Sequence, residues 1–206
     1  MIGIDATVLT LLLNEHADAP PDPSTGKPVE RVKDRVDFWI QGLHKIRQKL
    51  IIPTPALSEV LVRAGVSGLR YVDTLQKANV FDIRGFDKIA AVELALMTQA
   101  AIKAGDKKAG SKEPWQKIKI DRQIVAICKV ASVSTLYASD PSLAHFAKSA
   151  GMTVVGVHEL PLPPTEPQLT MDKWLETASG EGQPDEPNPE DFESDEPEKD
   201  GDAAPS

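Results

Sequence analysis

Cysteine is almost absent from this chain: Cys128 is the single one in 206 residues, and it sits inside an apolar run. That excludes a disulfide framework and a cysteine-rich metal site, and it fits a reducing compartment. Histidine is nearly as sparse. His16, His44, His145 and His158 are scattered, so no zinc-type cluster is on offer. Long hydrophobic runs are lacking as well: the N-terminal MIGIDATVLTLLLNEHAD is interrupted by acids, has no basic leader and is too short to span a bilayer. The expectation is a cytoplasmic protein with no membrane partner. No repeat at a solenoid period is visible.

Basic residues are scarce in one region only. From Glu166 onward fourteen Asp and Glu face two Lys, so that segment carries about −12 and the residues before it about +4. The net charge of −8 therefore describes the tail rather than the fold. Residues 179 to 206, beginning SGEGQPDEPNPEDFESDEPEKD, hold a single aromatic, Phe192, and cannot bury enough apolar surface to offset the entropy of ordering. They are expected to be a disordered acidic tail. Residues 161 to 178 read as a linker with a short amphipathic helix, because LTMDKWLETA places Leu169, Trp174 and Leu175 near one face. Residues 1 to 160 are left as the domain that holds the core.

Within that domain, short aliphatic and β-branched runs alternate with longer helical patterns, which is the signature of a parallel α/β sheet. The expected strands are IGID (2 to 5), LIIP (50 to 53), VFDI (80 to 83), STLYA (134 to 138) and TVVG (153 to 156). Helices are expected at about 6 to 13, 29 to 49, 55 to 64, 67 to 78, 86 to 104, 121 to 131 and 141 to 149. The stretches DAPPDPSTGKP and GDKKAGSKEPW read as loops.

In a right-handed βαβ unit the carboxyl ends of strands and the amino ends of the following helices share one rim. Asp5 ends the first strand. Thr54 is expected to cap the helix after the second strand, with Glu59 about one turn in. Asp121 opens the helix that feeds the fourth strand, and Asp140 follows that strand. Taken singly, Asp5, Asp121 and Asp140 are what helix capping would select. Glu59 lies past the capping positions. Four carboxylates on one rim repel one another unless protons, basic side chains or a cation compensate, and a hard cation such as Mg²⁺ or Mn²⁺ suits oxygen ligands. Lys117, Lys119 and Arg122 flank Asp121, with Lys107, Lys108 and Lys112 in the loop before it. Such residues would contact the phosphates of a nucleic acid without reading its sequence. Glu93, alone in an apolar helix, is expected to pair with a basic side chain.

Three runs in order, IDATVLTLLL, IIPTPALSEVLVRAG and KIDRQIVAICKVASVSTLYASDPSLAHFAKSAGMTVVGV, resemble the PIN-domain nucleases, including the VapC-type toxins, over roughly residues 1 to 160. The resemblance implies a PIN-like three-layer α/β fold, with a five-stranded parallel sheet flanked by helices. It also implies a Mg²⁺- or Mn²⁺-dependent endoribonuclease in which Asp5, Glu59, Asp121 and Asp140 take the catalytic and metal-binding places. RNA is then the substrate, and cleavage leaves a 5′ phosphate and a 3′ hydroxyl. An antitoxin and a second copy of the chain are the candidate protein partners. The pattern departs at Ala138, where many members have Thr, and at Ser142 and Leu143, where many have a further Asp or Asn. Those departures keep a second reading open, a catalytically weakened PIN-like RNA-binding or scaffold module. An aspartyl-phosphate phosphatase is disfavoured, because D-x-D is replaced by Asp5, Ala6, Thr7.

Overall fold

The computed structural model describes residues 1–164; the amphipathic helix expected in 169–178 and the acidic tail expected at 179–206 lie outside the described residues. Five strands form one sheet: β1 (Ile2–Ile4), β2 (Leu50–Pro53), β3 (Phe81–Arg84), β4 (Thr135–Tyr137) and β5 (Thr153–Val155). Their order is β3-β2-β1-β4-β5, with every neighbouring pair parallel. The sequence places LIIP centrally for a physical reason. A continuous apolar run with β-branched members suits a strand covered on both faces, and all four of its residues are buried.

Seven α-helices connect the strands: α1 (Ala6–Leu13), α2 (Val32–Lys45), α3 (Thr54–Ala64), α4 (Gly68–Lys77), α5 (Lys88–Lys103), α6 (Trp115–Val130) and α7 (Pro141–Ser149). Steps from β1 to β3 move one way across the sheet and steps from β3 to β5 move the other. Right-handed crossovers therefore put α1 to α4 on one face and α5 to α7 on the opposite face. The packing agrees, with α1 against α2 and α3, and α6 against α5 and α7. This is the expected three-layer arrangement.

Two helix boundaries differ from expectation in ways that matter. The second helix is shorter, Val32–Lys45 rather than 29 to 49. The sixth begins at Trp115, six residues before the expected start at Asp121. Pro114 supplies the start, since its fixed φ suits a helix entry, and Ile118 is already fully buried. Asp121 is thus an interior residue rather than a cap. On α6 the residues Ile118, Asp121, Val125 and Cys128 recur at the spacing of one helix face and all are buried, so an acid occupies a place in the stripe that meets the core. The helix approaches β1 closely at Gly3, where a Cβ would lie 3.1 Å from Cys128 Sγ and 3.2 Å from the Leu136 side chain. The absent side chain lets the acid-bearing stripe settle on the sheet.

Candidate active site

At the carboxyl edge of the sheet α3 and α6 approach each other, and a cleft of about 410 Å³ opens there. Its charged lining is Asp5, Glu59, Arg63, Lys117, Asp121 and Asp140. All four acids singled out from the sequence are brought together on it, although they come from four separate elements. The capping reading also holds for two of them. Asp5 is the N-cap of α1 and Asp140 the N-cap of α7, so each satisfies orphan helix N–H groups while facing the cleft.

Asp5 accepts from the Val8 N–H through Oδ1 at 2.8 Å and from the Ser139 N–H through Oδ2 at 2.9 Å. It thereby ties the turn after β4 to the end of β1. Asp140 accepts from the Ser142 and Leu143 N–H groups through Oδ1 at 2.8 and 3.0 Å. Its other oxygen accepts from Lys117 Nζ at 2.7 Å. Asp121 Oδ2 accepts from the Ser142 hydroxyl at 2.7 Å and lies 3.4 Å from the same Lys117 ammonium. Glu59 is exposed and pairs with Arg63 one turn along α3, at 2.6 Å.

Burial makes these carboxylates uneasy. It pushes the Asp5 carboxyl up to about 6, against the pull of the Val8 and Ser139 N–H groups, and the neighbouring Asp140 charge adds to the rise. Asp121 is likewise raised, chiefly by burial, although the Ser142 hydroxyl and Lys117 oppose this. Burial acts on Asp140 as well, but the Lys117 hydrogen bond and the Leu143 N–H outweigh it and hold the carboxyl below its usual value. The electrostatics therefore favour a cation beside these acids.

Among the described residues no three His, Cys, Asp or Glu side chains are gathered closely enough, as they stand, to hold a metal ion. The donor set nevertheless fits a hard divalent cation: the acids are all oxygen ligands, the kind Mg²⁺ and Mn²⁺ prefer. A cation already lies between two of them, because the Lys117 ammonium is shared by Asp121 and Asp140. The fit is one of chemistry and charge.

Of the three basic residues expected to meet substrate, only Lys117 lines the cleft. Lys119 is exposed elsewhere on α6. Arg122 is 2% exposed, and its guanidinium donates to the Lys107 carbonyl at 2.8 Å and lies 5.1 Å from the Phe146 ring. Its charge is spent on holding the 105–113 loop, to which His145 also bonds at the Ala109 carbonyl. Trp115 carries Lys107 over its ring at 4.1 Å. Glu93 pairs with Lys129. Near Asp5, Thr7 lines the cleft, whereas Asn14 ends α1 and accepts from the His16 N–H.

Sequence reasoning missed Ser142 and Arg63. Ser142 stands where the resemblance expects a further Asp or Asn, and its hydroxyl and N–H join Asp121 to Asp140. Its signal was readable in Asp-Pro-Ser, where a cap and a proline put the serine in the first helical turn. Arg63 was readable as the i+4 partner of Glu59.

No protein-family model and no curated protein matches the chain. Among solved structures, it is similar to VapBC2 from Rickettsia felis bound to a promoter DNA fragment, with a TM-score of 0.48 and 12% identity over 76% of this chain and 98% of that one. It is similar to VapC20 from Mycobacterium tuberculosis, a sarcin-ricin loop cleaving toxin, with a TM-score of 0.44 and 11% identity over 74% of this chain and 97% of that one. It is also similar to DNA-bound VapBC from Salmonella typhimurium, with a TM-score of 0.46 and 12% identity over 76% of this chain and 97% of that one.

Proposed function

We propose that the protein is a Mg²⁺- or Mn²⁺-dependent endoribonuclease that hydrolyses RNA phosphodiester bonds in the acidic cleft. The observation that carries this reading is the convergence of Asp5, Glu59, Asp121 and Asp140 on one cleft, in the order of the sequence resemblance. Asp121 and Asp140, with Asp5 behind them, are the residues that would hold the ion. When bound, the ion would lower the pKa of an attacking water and offset charge on the phosphate. Asp5 fixes the Ser139–Asp140 turn against α1, and Ser142 orients the Asp121 carboxylate. Glu59, at the exposed side, positions the attacking water and accepts its proton. Arg63 beside it meets the phosphate oxygens.

End-labelled single-stranded RNA, duplex RNA and DNA, incubated with the protein in the presence and absence of Mn²⁺, test the activity, substrate and metal together. Metal-dependent RNA cleavage leaving 5′ phosphates is expected. Undiminished cleavage by Asp121→Asn and Asp140→Asn would overturn the assignment. A small inhibitory antitoxin is the partner expected of the toxin form of this reading, and a second copy of the chain is the other candidate. Among the described residues no helix is long and apolar enough to cross a membrane.

One observation favours the alternative, an RNA-binding or scaffold module. Lys117 already supplies the positive charge between Asp121 and Asp140. Calorimetry separates the two, since a scaffold would leave RNA intact and bind no Mn²⁺ at millimolar concentration.

A further inference from the structure

Lys117 lies one helical turn before Asp121 on α6, a spacing that sets the two side chains on the same face. Its ammonium is 2.7 Å from Asp140 Oδ2 and 3.4 Å from Asp121 Oδ2. The contact to Asp140 closes a link across 23 positions of sequence. An ammonium is a compact point charge with three rotatable donors, so it can stand between two carboxylates as a small ion does. The side chain is also 35% exposed, which leaves its four-carbon stem a way out along the cleft. A divalent ion placed between the same two oxygens would lie within a few ångströms of the ammonium, and the repulsion between +1 and +2 at that range excludes both from one position.

Resting on the nuclease reading above, we propose that Lys117 is a tethered counter-ion that holds the divalent ion's place: it keeps Asp121 and Asp140 together in the metal-free protein and is displaced when the ion binds. The lysine is therefore a positioning residue that sets the metal affinity of the cleft. Removing its charge has two opposite consequences. The metal-free protein loses its compensation for two adjacent carboxylates, one of them buried, and becomes less stable. The metal-bound protein loses only a competitor, so the ion binds more tightly.

The test is Mn²⁺ titration of the full chain by calorimetry, paired with thermal melts in chelator and in Mn²⁺. Lys117→Met keeps the stem and removes the charge; Lys117→Arg keeps a charge; the Asp121→Asn, Asp140→Asn double variant reports Mn²⁺ taken up by the acidic residues after Glu166. After that background is subtracted, Lys117→Met is expected to bind Mn²⁺ on the order of tenfold more tightly than the unaltered protein. It is also expected to melt lower in chelator and at least as high in Mn²⁺. Lys117→Arg should stay near the unaltered affinity. Equal or weaker Mn²⁺ binding by Lys117→Met, with the unaltered protein binding normally, overturns this inference alone. Absence of binding above background in every protein overturns the metal reading and this inference with it. If Lys117→Met is unfolded in chelator, recovery on refolding with Mn²⁺ supports the proposal, and failure to recover overturns it.

Discussion

One wall of the cleft is held by the fold and the other by a single ion pair. Asp5, Asp121 and Asp140 take main-chain N–H groups or a serine hydroxyl, and the first two are buried. Glu59 and Arg63 face them across α3 with side chains 47% and 62% exposed. The buried wall bears a desolvation cost that its hydrogen bonds offset only in part, which is why Asp5 and Asp121 are raised. The exposed wall bears almost none and adapts to what enters. On the proposed nuclease reading the contrast is a division of labour: the preorganised side would supply charge at a fixed point, and the adjustable side would handle water and phosphate.

The largest expected effect breaks or sustains that division directly. Asp121→Asn and Asp140→Asn should each lower the rate of RNA cleavage on the order of 10³-fold, a loss of several kcal/mol of transition-state stabilisation. Circular dichroism and cooperative melting should be retained, since an amide oxygen can still accept the Ser142 or helix N–H bonds. Glu59→Gln should lose less, about 10²-fold. If Glu59→Gln matches the aspartate variants, the two walls do not differ in function.

The second effect is on stability and follows from Asp5. Its carboxyl rises from 3.8 to about 6 in the folded chain, so the folded protein holds a proton that the unfolded chain gives up. The stability contributed by protonated Asp5 is complete below pH 3.8 and is lost as pH rises through about 6, a decline of about 3 kcal/mol. Asp121, raised in the same direction, adds a decline of the same sign. Asp140 is lowered and acts oppositely: its contribution is present above pH 3.8 and is lost as pH falls through its folded value. Urea denaturation in chelator should therefore show stability falling between pH 4 and about pH 6.5. Asp5→Asn should flatten most of that slope, and an unaltered slope in this variant would remove Asp5 as its source.

Much of this architecture was legible in the sequence, and the failures have identifiable causes. The five strands were readable because their apolar runs are short and bounded, and the rim placement of the acids follows from crossover handedness alone. The start of α6 was not. Lys117 to Ile120, KIKI, alternates basic and apolar residues, which masks a helical period, and Asp121 has the chemistry of a cap. Burial of Ile118 on the core decides the matter. Arg122 misled in the other direction. An arginine beside an acid reads as a phosphate contact, but the Lys107 carbonyl and the Phe146 ring that hold it are 15 and 24 residues away in sequence. Ala138 and Ser142 look like gaps in the acid set, yet Ser142 bonds Asp140 locally through the cap of α7 and reaches Asp121 only because α6 packs on α7.

Ser142→Ala probes the fixed wall more gently. It removes the 2.7 Å hydroxyl bond to Asp121 and keeps the main-chain bond to Asp140, so a loss of about 1 kcal/mol in urea denaturation is expected. Cleavage should fall by about tenfold, because Asp121 remains but is less firmly aimed. A loss as large as that of Asp121→Asn would mean that the serine itself contacts the reacting groups.

The smallest expected effect on stability comes from the adjustable wall. Arg63 and Glu59 are exposed partners four residues apart on α3, an arrangement whose Coulomb gain is largely cancelled by solvent and by side-chain ordering. Arg63→Ala should leave the unfolding free energy within about 0.5 kcal/mol of the unaltered protein. On the proposed reading its consequence falls on substrate binding instead. A guanidinium at the cleft mouth that contacts one phosphate releases about one counterion when RNA binds, so its removal should reduce the slope of log affinity against log salt by about 0.7 for single-stranded RNA. The measurement is RNA binding to an uncleavable Asp140→Asn background across a range of salt, with and without the Arg63 change. An unchanged slope would assign Arg63 to Glu59 alone, and a large fall in stability would show that the exposed pair holds the fold as the buried wall does.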